Sequence, residues 1–233
     1  LRLRRMAYPL FTCGFIAAVA AFVYRWLNTG HVPMQNLFEL FVTMGLSVYV
    51  ISIFTEKLLD IKQRAIDMLI GVVVLFPAGF VFSEFPRPLP PALQSVFFVP
   101  HVTAYVLGYI FMFKASAAAV QTLTSKALDK VLREDETYRL VRTGFPLLVL
   151  GLIIGSVWAH YVWADYFGWD PKELWALATV VVYLGYFHWR YMFRQSHLRV
   201  NCLWVLAGFA GVLLTLLWAN LSSLFVGLHS YAT

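Results

Sequence analysis

The sequence predicts an all-α, polytopic transmembrane helical bundle of about seven spans, with the N-terminus inside and the C-terminus outside. Hydrophobic residues make up 61% of the 233 residues and charged residues only 13%. The mean hydropathy is +0.72, well above that of soluble globular domains. The apolar residues fall in stretches of about 20, the length of a helix that crosses the hydrocarbon core of a bilayer. We therefore expect a single membrane domain over residues 1–233.

Seven apolar stretches qualify, or nearly qualify, as spans. The first is too long and too lipophilic for a simple cleaved signal peptide. The longest polar connection, residues 122–143, has mixed charge and predicts a polar helical extension whose main role is that of a solubilising connection. In chain order, the predicted spans are Met6–Trp26, Asn36–Phe54, Ala65–Phe82, Ser95–Gln121, Gly144–Trp163, Lys172–Phe193 and Val200–Phe225.

The basic residues predict the orientation of these spans. All but three of the 18 Lys and Arg residues precede the first span or lie in or beside the connections after the second, fourth and sixth. The other side has only Arg25, Arg87 and Lys172. Cytoplasmic loops carry such an excess of Lys and Arg, so the basic side is predicted to be the inner side. This distribution also argues against a nucleic acid as the reason for the net charge of +6.

The two cysteines predict no disulfide and no thiolate metal site. Cys13 and Cys202 lie within or at the start of apolar spans, far apart in the chain and with no CxxC pattern. Inert buried thiols are the better interpretation. The chain begins at Leu1 rather than Met, which is consistent with a part of a longer polypeptide.

The outer connection between the fifth and sixth spans, WAHYVWADYFGWDPKELW, is the most informative segment. This segment, Trp158–Trp175, holds four tryptophans in eighteen residues. An aromatic belt at a membrane interface needs only one or two rings per helix end, so this density favours a surface on which a large flat ligand lies. A purely interfacial belt is the alternative.

The end of this segment also has a structural interpretation. Asp170 is a good N-cap, Pro171 is favoured at the first helical position, and Glu173 completes the spacing of a capping box. These residues are therefore predicted to start the sixth span. A capped helix would at the same time hold the neighbouring rings in place.

Two histidines are candidate ligands on the predicted outer side. His101 follows Pro100 at the outer end of the fourth span, and His229 lies in GLHSY just beyond the seventh. Neutral imidazole is a good axial ligand for haem iron, and a six-coordinate iron takes two. The alternative is that both are hydrated interfacial residues.

His188 is a candidate of a different kind, because it lies fifteen residues beyond Glu173 on the sixth span. At the rise of an α-helix this places it about 22 Å further into the membrane, where ionisable residues are functional candidates. The alternative is an inner-interface residue that reaches water beside Arg190. No role is assigned to the remaining histidines, His31, His160 and His197.

Several motifs resemble those of the CcsA family of System II cytochrome c biogenesis. They are RWLNTGHVPMQNLFELF, LQSVFFVPHVTAYVLGY, YFHWR, GLHSY and the tryptophan-rich segment ending in WDPKE, which resembles the WWD signature. They occur in the family's order along most of the chain. Ala164 and Phe167 stand where the family usually has Gly and Trp.

The resemblance implies delivery of haem b across a membrane and its covalent attachment to the CxxCH thiols of apocytochrome c on the outer face. It implies cytochrome c synthase activity together with a CcsB/ResB-type partner, either a separate chain or an N-terminal portion of the same polypeptide. The membrane would be the bacterial cytoplasmic membrane, with the site facing the periplasm, or the thylakoid membrane. The alternatives are a haem exporter without covalent chemistry, or a haem- or quinone-linked electron-transfer subunit.

The same resemblance implies roles for individual residues. His101 and His229 would ligate the iron of an external haem, and His188 would ligate an intramembrane haem whose second ligand comes from the partner. Lys172 would meet a propionate. The other residues implied in holding the macrocycle are Trp158, Trp163, Trp169, Asp170 and Trp175.

Overall fold

The computed structural model describes residues 2–218, and this part of the chain is helical with no strand. The helices are α1 (Arg2–Thr29), α2 (Leu37–Leu58), α3 (Arg64–Phe80), α4 (Phe98–Thr124), α5 (Ala127–Trp163), α6 (Pro171–Phe193) and α7 (Leu198–Leu213). A 3-10 turn (Pro91–Leu93) precedes α4, and a π-helical turn (Leu214–Trp218) continues α7. The predicted all-α, polytopic architecture is confirmed. The tail with His229 lies outside the described residues.

Five helices of the described part are long and apolar enough to span a membrane: α1, α2, α4, α5 and α7. The remaining two correspond to predicted spans but are less apolar or shorter. α3 has 17 residues. α6 has 23 residues, but Lys172, Glu173 and Arg190 lower its hydropathy. The predicted polar helical extension is present, and the structure shows that it continues into the fifth span, because α5 runs without interruption from Ala127 to Trp163.

The first compact unit, Leu1–Gln94, is built around α2, which packs against α1 and α3. Asn36 caps α2 by accepting a hydrogen bond from the Glu39 N–H at 2.9 Å. The buried carboxylate of Glu39 accepts from the Gln35 N–H and forms an ion pair with Arg25, both at 2.9 Å. Arg25 also donates to the Glu84 carbonyl. One carboxylate thus organises the chain between α1 and α2.

The second compact unit, Ser95–Thr233, has its most extensive packing between α4 and α5, and α7 packs against both α4 and α6. Glycines allow the close approach of α4 and α5. A Cβ at Gly108 would lie 2.7 Å from a methyl carbon of Leu148, and a Cβ at Gly144 would overlap Phe111. Small residues at such contacts let helix backbones approach closely in membranes, where the apolar lipid supplies no hydrophobic drive for helix association.

A polar network fastens three helices at the predicted inner end of this unit. Glu134 of α5 is only 1% exposed and receives two hydrogen bonds from Arg190 of α6, at 2.7 and 3.0 Å. Asn201 of α7 donates to the same carboxylate at 3.0 Å. A bidentate charged pair of this kind is strong, and a buried member left alone would be costly.

We therefore expect Glu134→Ala to destabilise the second unit by about 3 kcal/mol, because the substitution leaves the partly buried Arg190 with Asp135, 3.8 Å away, as its remaining carboxylate and removes an acceptor of Asn201. The measurement is the free energy of unfolding in detergent. Asp129→Ala is the matched control on the exposed first turn of α5 and should change that free energy by about 0.5 kcal/mol or less. Equal losses in the two variants would contradict the assigned role of Glu134.

Candidate functional site

His101 is the fourth residue of α4, at the end of its first turn, and its ring points toward α5. Its Nδ1 lies 2.9 Å from the carbonyl oxygen of Gly151. A carbonyl can only accept a hydrogen bond, so Nδ1 carries the proton, and Nε2 of the neutral ring carries the lone pair. Metal-ligating histidines commonly have this arrangement, in which one nitrogen donates to a backbone carbonyl and the other binds the metal.

Neighbouring groups fix the position of the His101 ring. The rings of Tyr105 and Trp158 meet it edge to face, with centroids 5.0 and 5.4 Å away. Gly155 lies directly beneath it, and a Cβ at this position would overlap Cε1 of the imidazole. Gly155 thus makes room on α5 for the His101 ring, and Gly151 makes room for the ring of Tyr105. The sequence signal that could have identified both glycines is the GxxxG spacing in GLIIG.

The loop after α5 folds back onto the end of that helix. Ala164 ends α5 in the left-handed conformation, with φ of 60°, and its N–H donates to the His160 carbonyl at 2.9 Å. The Ser156 hydroxyl donates to the Tyr166 carbonyl at 2.8 Å. The rings of Tyr166 and His160 stack with centroids 4.2 Å apart and nearly parallel planes. These contacts hold the first half of the loop against α5.

The second half of the loop presents Trp169 and then starts α6. Trp169 is 70% exposed and has φ of 56°, a conformation that is strained for a bulky residue. Asp170 is buried, and its Oδ1 accepts from the Glu173 N–H at 3.0 Å. The predicted N-cap at Asp170, followed by Pro171, is confirmed. The cap fixes the backbone immediately after the exposed ring.

The four tryptophans of the segment differ in burial. Trp158 is only 3% exposed and packs behind His101, and Trp163 is half-buried with its centroid 6.2 Å from that of Trp158. Trp169 and Trp175 are exposed. The surface available to a flat ligand therefore comes from Trp169, Trp175 and part of Trp163. Lys172 and Glu173 lie half-buried in the first turn of α6, beside these rings.

The structure separates His188 from Arg190. His188 is exposed on the outside of the second unit, and its Nδ1 lies 2.8 Å from the Leu184 carbonyl, which leaves the lone pair on Nε2. Arg190 instead faces into the unit and pairs with Glu134. α6 is continuous from Pro171 to Phe193, so His188 lies about 22 Å along the helix from Glu173. His229 lies outside the described residues.

The donor set suits a haem iron better than a bare metal ion. Within residues 2–218, no three His, Cys, Asp or Glu side chains lie close enough together to hold an ion. A porphyrin brings four nitrogen ligands of its own, so its iron requires only one or two axial ligands from the protein. An imidazole with a defined lone pair, next to exposed aromatic rings, meets that requirement.

Comparison with known proteins gives consistent matches. The family model described as Cytochrome C assembly protein matches residues 34–226. Three similar relatives are each described as "Cytochrome c biogenesis protein CcsA". The one from Guillardia theta is 31% identical over 89% of this chain and 79% of its own. The one from Chlamydomonas reinhardtii is 29% identical over 98% of this chain and 69% of its own. The one from Nicotiana tomentosiformis is 26% identical over 94% of this chain and 83% of its own.

The left-handed conformation of Ala164 gives a testable expectation. Glycine adopts this conformation without the Cβ penalty and is the usual residue at such helix ends. We expect Ala164→Gly to raise the free energy of unfolding by about 0.5–1 kcal/mol. Ala159→Gly is the same change inside α5 and should lower it by about 1 kcal/mol. If Ala164→Gly also proves destabilising, the loop does not hold this conformation.

Proposed function

The chain belongs to the cytochrome c assembly protein family and is one of its CcsA-type members, and from this membership we propose that it delivers haem b to the outer face of a membrane. There, together with a CcsB/ResB-type partner, it attaches the haem covalently to the CxxCH thiols of apocytochrome c. The chain is a multi-pass membrane protein with a role in cytochrome c biogenesis. The proposal adds the ligands, the covalent step and the partner.

The observation that supports the proposal most is the state of the His101 ring. Nδ1 donates to Gly151 at 2.9 Å, and Trp158 and Tyr105 prevent the ring from turning. Nε2 is then a pre-oriented axial ligand, because the tautomer and the plane of the ring are set before any iron arrives. His229 is the proposed second ligand of the same iron.

The tryptophan-rich segment is the proposed surface for the macrocycle. Trp169 and Trp175 offer exposed rings, Trp163 offers part of one, and Lys172 offers a cation for a propionate. Trp158 takes part by supporting His101 from behind. Asp170 fixes the start of α6 and thereby the ring before it. The residues of this chain bind and orient, which brings the reacting groups into proximity. When haem is bound, it supplies both the iron and the vinyl groups to which the thiols add.

His188 is the proposed ligand of a second, intramembrane haem position. Its imidazole is exposed on the outside of the second unit, and Nδ1 is occupied by the Leu184 carbonyl. An exposed ring is accessible to a ligand from a chain that packs against this side of α6. A CcsB/ResB-type partner is proposed to supply it, either as a separate protein or as a fused portion.

The whole proposal is tested by co-expression with an apocytochrome that contains CxxCH, with and without a CcsB/ResB-type partner. We expect covalent haem, measured as the pyridine haemochrome spectrum of the denatured cytochrome, only when both proteins are present. Free haem on the outer side without covalent product would instead favour an exporter. We propose the bacterial cytoplasmic membrane as the location of the protein, with the thylakoid membrane as the alternative.

Replacing His101 by glycine should remove the axial ligand while leaving the space that imidazole can enter. We expect His101→Gly to lose the haem spectrum of the purified protein and most of the holocytochrome yield, and added imidazole to restore both in part. His229→Gly should behave alike. His197→Gly is the control, because it removes an exposed imidazole that lies after α6, away from this segment, and it should leave the spectrum unchanged.

A second variant separates ligation from packing. Gly155→Ala keeps His101 but places a methyl group where the ring lies, so haem affinity should fall by about tenfold, the usual cost of disturbing a ligand's orientation. Gly14→Ala introduces the same methyl where no atom lies within 4 Å and should have no effect. An unchanged spectrum in both His101→Gly and Gly155→Ala would remove His101 from the ligand set.

The two-position proposal predicts a distinct result for His188. Because it lies about 22 Å along α6 from the outer loop, His188→Ala should lower delivery of haem to the outer position without altering the axial signature of haem already bound there. Rescue by imidazole should depend on the partner. The measurement is the absorption spectrum and the electron paramagnetic resonance spectrum of the purified protein at several ratios of haem to protein. A changed signature at the outer haem, or full synthesis by the variant, would contradict the assignment.

A further inference from the structure

A cavity of about 370 Å³ opens at the predicted inner end of the second unit, at the opposite end of α6 from the tryptophan-rich segment. None of the proposed haem residues lines it. Its volume lies within the range of small-ligand sites. The walls come from α5, α6 and the turn that follows α6, and the residues that matter for its chemistry are Asp135, Tyr138, Phe187, Arg190, Tyr191 and Arg194.

Arg190 forms the fixed part of the wall. Its guanidinium is held by Glu134 and lies 3.7 Å from the centroid of the Tyr138 ring. Its charge is compensated by that carboxylate. Asp135, the acidic group of the wall, is itself compensated, because it lies 3.1 Å from Arg139 and 3.8 Å from Arg190. These groups do not repel an anion in the cavity.

Arg194 is the cation of the wall that is available to bind an anion. Its guanidinium has no ion-pair or hydrogen-bond partner among the described side chains, and the residue is exposed. Its backbone has φ of 48° and ψ of −125°, a conformation that favours glycine in the turn closed by the Ser196 N–H and the Phe193 carbonyl. Asn201 donates to the Arg194 carbonyl at 2.9 Å and holds this turn in place.

The remaining wall is aromatic. Tyr138, Phe187 and Tyr191 line the cavity together with the two arginines, the Tyr138 ring lies against the Arg190 guanidinium, and Tyr191 is largely exposed. A ligand that contacts both the arginines and the aromatic rings of the wall has an anionic head and an apolar body. Arginines and aromatic rings at the inner end of a membrane bundle are the groups that bind the headgroups of anionic lipids. A free anion would use Arg194 but would leave the rings without a contact.

We propose that this cavity binds the phosphate headgroup of an anionic membrane phospholipid, with Arg194 as the principal cation. The lipid would lie against α5 and α6 and stabilise the turn that joins α6 to α7. The site is independent of the proposed haem function, and its test uses lipid retention as the readout.

The test is native mass spectrometry of the detergent-purified protein, titrated with phosphatidylglycerol or with phosphatidylcholine of the same acyl chains. We expect one phosphatidylglycerol to be retained in preference to phosphatidylcholine. Arg194→Gln should weaken retention by roughly fivefold, the typical effect of one arginine near an anionic lipid. Arg199→Gln is the matched control, since it removes the same charge from the next helix but does not line the cavity, and should retain the lipid.

Arg194→Gly keeps the test decisive if the glutamine variant folds poorly, because glycine suits the backbone of residue 194 and lacks the cation. It too should lose the lipid. Equal losses in Arg194→Gln and Arg199→Gln would overturn the proposal, as would equal retention of the two lipids. Displacement of the lipid by glycerol phosphate at millimolar concentration would indicate a free-anion site. Displacement of the lipid by haem would indicate that the cavity binds the propionate groups of haem instead.

Discussion

The hydrogen bond from His101 to the Gly151 carbonyl is the contact on which the candidate site depends. A helix carbonyl has two lone pairs, and the backbone of α5 uses only one, so the imidazole can share Gly151 without breaking the helix. The contact requires α4 and α5 to approach closely, which Gly151 and Gly155 permit. In a bilayer a polar group that has left water must find its partner within the protein. The contact between α4 and α5 therefore also selects the tautomer of His101, with the proton on Nδ1.

The same requirement acts at the other end of the second unit. Glu134, Arg190 and Asn201 come from three helices and satisfy one another. The α5–α6–α7 arrangement is thus fixed by charge and hydrogen bonds at the predicted inner end. At the predicted outer end, aromatic contacts join α4 to α5, and Ser156 holds the tryptophan-rich loop against α5. α6 runs without interruption from the outer loop to the wall of the inner cavity.

The helices and their caps could be predicted from the sequence because they depend on local composition. The spans follow from runs of apolar residues, the start of α6 follows from Asp170 and Pro171, and the helical character of the long polar connection follows from its mixed charge. Contacts between helices could not be predicted in this way. Nothing local indicates that Trp158 is buried while Trp169 is exposed, or that Arg190 turns inward while His188 faces outward two residues earlier. These outcomes depend on which helix lies opposite, and the left-handed backbone at Ala164 and Arg194 depends on the turns those helices impose.

His101 and His188 make the same kind of hydrogen bond to carbonyls in different places. The difference determines how the orientation of each ring depends on helix packing. Each imidazole donates Nδ1–H to a backbone carbonyl and so presents Nε2. His101 uses a carbonyl of another helix, 50 residues away, whereas His188 uses Leu184 of its own helix, four residues back. The orientation of His101 therefore depends on the packing of α4 against α5, and that of His188 depends only on α6 remaining helical. A disturbance of the α4–α5 contact should therefore affect the orientation of His101 and not that of His188. This difference fits the proposal that the two imidazoles serve separate ligand positions.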